Sequence, residues 1–219
     1  MTNDPLSMAA YSQTFLAERF RGFLPVVIDV ETGGFDAQNN SLLEIAAVAL
    51  AMDECGNLFI TDSLAHNVAP HPQTISEQAA LEFTGIDPDD PTRVALHEKD
   101  ALQSIFQMVR RNVRTHACSR AVIVAHNAHF DLSFINAAVA RNDVKRNPFH
   151  PFSCFDTATL SGLAFGQTVL AKACQAAGIS FDNNEAHSAD YDARRTAELF
   201  CTIVNRWREL GGWAPAATT

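Results

Sequence analysis

Apolar runs and polar breaks divide this chain into strands and helices by their periods. PVVID (25–29) sets three branched apolar residues in succession behind a proline, which reads as a buried strand with Pro at its start. LLEIAAVALAM (42–52) and NLFITDSLAHNV (57–68) flank Asp53-Glu54-Cys55-Gly56, so two strands and a turn predict a hairpin beside the first strand. From Glu98 to Val113 the residues Leu102, Ile105, Phe106, Val109 and Val113 recur at helical spacing, with Arg110 and Arg114 off that face. AVIVA (121–125) is a further apolar strand, followed by His126-Asn127-Ala128-His129 and a helical pattern over Phe130–Ala140. PFSCFD (151–156) reads as a short strand, Thr168–Ala177 as a helix closed by Gly178, and Ala189–Leu210 as a last helix closed by Gly211-Gly212. A polar lead-in of about 22 residues holds a turn or two of helix between Tyr11 and Phe20. Three strands followed by helix–strand alternation predict a mixed sheet with helices on its faces.

Composition agrees with an α/β domain. The chain has 219 residues, 47% hydrophobic and 19% charged, enough for one sizeable core and short for two. No run approaches the ~20 apolar residues of a membrane span, and the first residues carry neither a basic nor an apolar signal region. Five cysteines without a CxxC pair read as free thiols in a reducing, cytoplasmic setting and argue against a zinc site built from them, since no two lie within ligand-pair spacing.

A net charge of −9 argues against a nucleic-acid partner until its distribution is considered. The window Phe106–Arg146 carries +5, from seven basic residues against Asp131 and Asp143, and the rest of the chain carries −14. Arg110, Arg111, Arg114, Arg120, Lys145 and Arg146 are therefore candidates for holding phosphate.

The chemistry lies in the acids. Asp29 and Glu31 are two apart on a strand, so both point to one face, where ionised carboxylates repel unless a cation sits between them. Asp131 follows AVIVA at a helix start, where the dipole favours an acid. Asp192 opens the last helix, with His187 five residues earlier and Asp190 as a competing acid. Hard divalent ions take oxygen ligands, and two such ions can bind the attacking and departing oxygens of a phosphodiester. A histidine beside them can accept a proton near neutral pH.

D-V-E-T-G (29–33), H-N-A-H-F-D (126–131) and H-S-A-D-Y-D (187–192) resemble the three motifs of the DEDDh exonucleases, in the same order and spacing. RFRGFLPVVIDVETGGF, the FHPF region after Arg146, GQTVLAKACQAAGI and CTIVNRWRELGGW extend the likeness to the ribonuclease T branch of that family over nearly the whole chain. The resemblance implies a ribonuclease H-like fold, here a mixed five-stranded sheet flanked by helices. It places the catalytic domain at 23–212, after the lead-in 1–22 and before a tail at 213–219. It implies a 3′→5′ exoribonuclease that trims the 3′ ends of tRNA and other stable RNAs and works as a homodimer. Asp29, Glu31, Asp131 and Asp192 then become ligands of two Mg²⁺ ions, with Mn²⁺ able to substitute, and His187 the general base. Asp190 falls between motif positions.

Phe35, Phe83, Phe130 and Phe152 stand where the motifs put them near the metals, and aromatic rings grip single-stranded ends by stacking. Glu77 and Glu82 flank Phe83, and nothing in the pattern chooses between them. Glu44 lies among apolar residues with no assigned role. DNA-directed or proofreading exonucleases and oligoribonucleases share the same catalytic letters. A module that uses the acids only as a structural cation site is a third reading.

Overall fold

The computed structural model describes residues 15–213. Strand β1 (Phe23–Thr32) pairs antiparallel with β2 (Leu42–Met52) on one side and parallel with β5 (Arg120–Ala125) on the other. Beyond β2 lie β3 (Leu58–Ala69), antiparallel to it, and the two-residue β4 (Leu96–His97); beyond β5 lies the parallel β6 (Phe149–Asp156). The order β4-β3-β2-β1-β5-β6 is the mixed sheet that the apolar pattern predicts, with six strands where five were expected. The additional strand, β4, is too short to show a period.

Val26, Val27 and Ile28 of β1 and Ala46–Leu50 of β2 are fully buried, because helices flank the sheet. This is why both strands read as continuous apolar runs. The β2–β3 hairpin closes at the predicted turn. Asn57 N donates to Asp53 Oδ1 at 2.7 Å, and Gly56 takes the left-handed backbone (φ 82°) that the turn needs.

Six helices with buried or site-forming roles follow in chain order: α1 (Gln78–Thr84), α2 (Glu98–Thr115), α3 (His129–Arg141), α4 (Thr157–Phe165), α5 (Leu170–Ala177) and α6 (Ala189–Glu209). Helix α2 buries the predicted stripe of Leu102, Ile105, Phe106 and Val109. It packs beside α3 on the sheet, while α6 crosses β1, β2 and β3 with α4 and α5 against it. Helices α1 and α4 have no clear signature in the sequence. Helix α1 buries none of its residues, so it has no apolar stripe to read. Helix α4 starts at Asp156, whose side chain caps it by accepting from Ala158 N and Thr159 N.

Residues 15–19 are helical, as expected of the Tyr11–Phe20 segment; its first four residues lie outside the described part of the chain. Of the tail, Trp213 is described, and Arg19 places its guanidinium 4.8 Å above the Trp213 ring.

Candidate active site

The site forms where β1 and its parallel neighbour β5 end. Asp29 and Glu31 stand near the carboxyl end of β1, on one face of the sheet. Chain leaving β5 runs through His126, Asn127 and Ala128 and delivers Asp131 in the first turn of α3. There Asp131 Oδ1 accepts a hydrogen bond of 3.1 Å from Val30 N, which fixes that acid against the strand that carries the other two. Asp192 lies in the first turn of α6, and its Oδ2 accepts from His187 N at 3.1 Å. Ligand atoms of Glu31, His187 and Asp192 all fall within 4.8 Å of one another. His187 takes a left-handed backbone (φ 66°), sparsely populated for a residue with a Cβ, and packs its exposed ring on Phe83 at 4.4 Å between centroids. The structure thus gathers all five residues named for the chemistry. Asp190 is engaged elsewhere, paired with Arg194 at 3.1 Å.

Crowding sets the electrostatics. Burial, and then the charges of Asp131, Glu31, Asp192 and Glu44, hold the Asp29 carboxyl well above the usual carboxylate range. Burial, with Asp192 and Glu44, pushes Glu31 up to about 8. Burial also raises Asp131 well above its ordinary value, against the opposing hydrogen bond from Val30 N, and raises Asp192. Asp192 Oδ1 is buried and has no hydrogen-bond partner among the described residues. A buried oxygen without a partner, beside three further acids that disfavour one another's charge, makes a carboxylate donor set that suits a hard divalent cation. The residues fit such an ion.

Beside the acids lies a cleft of about 320 Å³ walled by Phe35, Phe83 and Phe130, with Glu31, Thr32 and Glu77 on its lining. Phe35 meets Phe130 edge to face at 6.2 Å. Two glycines make the turn that carries Phe35. A Cβ on Gly33 would come within 2.8 Å of the Ser76 backbone, and one on Gly34 within 2.5 Å of the Asn40 side chain. Asn40 is buried and donates to Glu77 Oε1 at 3.1 Å, which orients Glu77 toward the cleft wall. Glu82, by contrast, accepts from Gln78 on the exposed side of α1. Phe152 stands outside the cleft, 77% exposed and edge-on to His150.

The RNase_T exonuclease family model matches residues 26–200, a span that includes every acid of the cluster and His187. The chain belongs to this exonuclease family. It is 61% identical to the protein named Ribonuclease T of Hahella chejuensis over 198 residues, 90% of this chain and 91% of that one. Among solved structures it resembles E. coli exonuclease I in complex with a dT13 oligonucleotide, with a TM-score of 0.65 at 18% identity. It also resembles a moderately thermophilic exonuclease I from Methylocaldum szegediense, with a TM-score of 0.63 at 18% identity. In both cases 86% of this chain is covered, and it spans 42% of the exonuclease I chain. That likeness establishes the fold, an α/β sheet of the ribonuclease H-like type.

The basic residues of this exonuclease divide into groups. Arg110, Lys145 and Arg146 line one hollow of about 400 Å³, and Arg110 Nη1 donates to Arg146 O at 3.1 Å. Arg114 lies one turn further along α2. Arg111 pairs with Asp62 at 2.7 Å, and Arg120 Nε donates to Phe149 O at 3.0 Å. Arg141 is withdrawn from any such role by a buried pair with Glu98 at 2.8 Å. The hollow lies past the carboxyl end of α3, whose other end carries Asp131. At 1.5 Å per residue, the turns of α3 from Asp131 to Arg141 span roughly 15 Å between the two. Among the described residues no helix is long and apolar enough to cross a membrane.

Proposed function

We propose that this exonuclease removes nucleotides one at a time from the 3′ end of RNA, leaving 5′-phosphomonoesters, and that its substrates are the 3′ ends of tRNA and other stable RNAs. The observation that carries the reading is the convergence of Asp29, Glu31, Asp131, Asp192 and His187 beside a cleft walled by three phenylalanines, with Glu31 on its lining and His187 packed on its Phe83. The name of the Hahella chejuensis relative supports RNA as the substrate.

Asp29, Glu31, Asp131 and Asp192 would hold two Mg²⁺ ions, with Mn²⁺ as a substitute. Bound divalent ions supply Lewis acidity that stabilises charge developing on the phosphodiester. Everything else falls to side chains of this chain. Phe35, Phe83 and Phe130 grip the terminal bases by their faces, which holds the last phosphodiester over the carboxylates. His187, exposed at the rim and braced by Phe83, takes the proton of the attacking water on a ring nitrogen. Its backbone N–H, tied to Asp192, keeps it in reach of the acids.

The Arg110, Lys145 and Arg146 hollow would carry the body of the RNA. Because it lies at the far end of α3 from its own acids, it serves the partner's site in a two-fold homodimer. Stacking on aromatic faces makes no use of a 2′-hydroxyl, so single-stranded DNA ends are a second substrate class. Residues 23–212 form the catalytic unit, and five free thiols suit a reducing cytoplasm.

Incubating RNA labelled at either end with Mg²⁺ tests the core of this reading. Mononucleotide release from the 3′ label ahead of the 5′ label is expected. Release from the 5′ end, or internal cleavage, would overturn it.

A further inference from the structure

Glu44 is a carboxylate of the cluster that neither the motifs nor the metal reading uses. Its strand places it directly across from Glu31 in the antiparallel ladder of β1 and β2, on the same face. It does not lean on the metal face alone. Its Oε2 accepts a 3.1 Å hydrogen bond from Ala189 N, the first amide of α6. The residue that would normally cap that helix, Ser188, makes no side-chain capping bond. A carboxylate from β2 therefore does the work of the cap, and its charge lies at the positive end of the helix dipole. Arg93, which donates to the carbonyls of Leu43 and Val68, stands beside the same segment of sheet.

The consequence lies on either side of Ala189. His187 is two residues before it, and Asp192 is three residues after it, with Asp192 N donating to Ser188 O at 2.9 Å. Both groups belong to the first turn of α6 or its approach, and both must meet Glu31, which sits on β1.

We propose that Glu44 is a positioning residue: by holding Ala189 N it fixes the start of α6 on β2, and so sets His187 and Asp192 against Asp29 and Glu31. It acts through the helix and does not ligate the metal. This rests on the metal-and-base reading above.

The test compares Glu44→Ala, which removes acceptor and charge, with Glu44→Gln, which keeps an acceptor for Ala189 N. Glu44→Ala should lower kcat by on the order of tenfold to a hundredfold, the cost of displacing reacting groups by up to about 1 Å, with KM for RNA nearly unchanged. Glu44→Gln should recover most of that rate, and both should bind Mg²⁺ in calorimetry. A second variant approaches from the helix side. Ala189→Pro deletes the donor at the one helical position where proline is favoured, and Ser188 already has the extended backbone (φ −112°, ψ 123°) that a following proline demands. It should reproduce the kcat loss, and combining it with Glu44→Ala should add little. Should Glu44→Ala not fold, Ala189→Pro and the hydrogen exchange of the Ala189 amide in the unmodified protein, expected to be protected, carry the test. Wild-type rate in Glu44→Ala or Ala189→Pro, or free exchange at Ala189, overturns the inference. So does loss of Mg²⁺ binding in Glu44→Gln, which would make Glu44 a ligand. Asp29→Asn run in parallel separates the two ideas: unchanged Mg²⁺ binding there removes the metal reading itself.

Discussion

Removing the divalent ion should make this protein lose stability as the pH rises, and Glu31 should be responsible for much of the loss. In the metal-free fold burial, with the charges of Asp192 and Glu44, raises Glu31 from the ordinary 4.5 to about 8. The folded protein therefore keeps a proton that the unfolded chain releases across that window. Where the folded state binds more protons, unfolding becomes easier as pH rises. Glu31's contribution to stability is fully present below about pH 4.5 and is lost as the pH rises toward about 8, by up to about 5 kcal/mol at 1.36 kcal/mol per pKa unit. A chain of this size shifts its Tm by roughly 2–4 °C per kcal/mol, so the full effect amounts to roughly 10–20 °C. The assay is thermal and urea unfolding of chelator-treated protein at pH 5 to 8, for wild type and Glu31→Gln, each repeated with saturating Mg²⁺. Glu31→Gln should match wild type near pH 5, exceed it by several kcal/mol near pH 8, and gain little from Mg²⁺. Saturating ion should flatten the wild-type slope, because it binds the charged form. Parallel curves for the two proteins without metal would refute the argument, since Glu31 would then titrate alike folded and unfolded.

His187→Ala should depress the single-turnover rate by on the order of a hundredfold or more while RNA binding is retained, and flatten the acidic limb of the pH–rate profile. Weakened binding with a near-normal rate would make His187 a substrate contact. Phe83→Ala, which removes a cleft wall and the brace of His187, should raise KM by the ~1–3 kcal/mol of one stacked base; Phe152→Ala, outside the cleft, should raise it less. Equal effects would place Phe152 in the grip. Mixing Asp29→Asn chains with chains carrying Ala at Arg110, Lys145 and Arg146 should restore part of the activity through exchanged dimers. Continued inactivity after demonstrated subunit exchange would remove the idea of a patch that serves its partner.

The clustering of the candidate acids was legible in the sequence partly for a physical reason. Two acids at i and i+2 behind VVI point to one face of a buried strand, whereas Asp131, Asp192 and His187 were singled out by the motifs they share with the family. Helices with a buried stripe, such as α2, were equally legible. Helix α1 was not, since it packs no side chain into the core. It is nevertheless the element that carries Phe83 and, at its cap, Glu77 to the cleft. The choice between Glu77 and Glu82 depends on Asn40, a buried residue 37 positions earlier than its partner Glu77, and no local pattern encodes such a contact. The charge count over Phe106–Arg146 also overstated the patch. It could not show that Arg141 is spent on Glu98 or that Arg111 faces Asp62, because both acids lie outside the window.

The four acids proposed to hold metal are fixed in two different ways, and the difference follows from where the chain places them. Asp131 and Asp192 sit in the first turns of α3 and α6, where the helix dipole favours negative charge, and each has an oxygen bonded to a backbone N–H. Asp29 and Glu31 project from mid-sheet, with no helix terminus behind them and no hydrogen bond to either carboxylate among the described residues. The helix acids are thus oriented by backbone bonds of the protein itself, and on the proposed metal reading the strand acids would rely on the ion for both charge and orientation. Loss of metal should therefore loosen the β1 side chains first and leave Asp131 and Asp192 in place. On that reading the site would release and rebind its ions without rebuilding its frame, because the backbone bonds that define the frame do not pass through the metal.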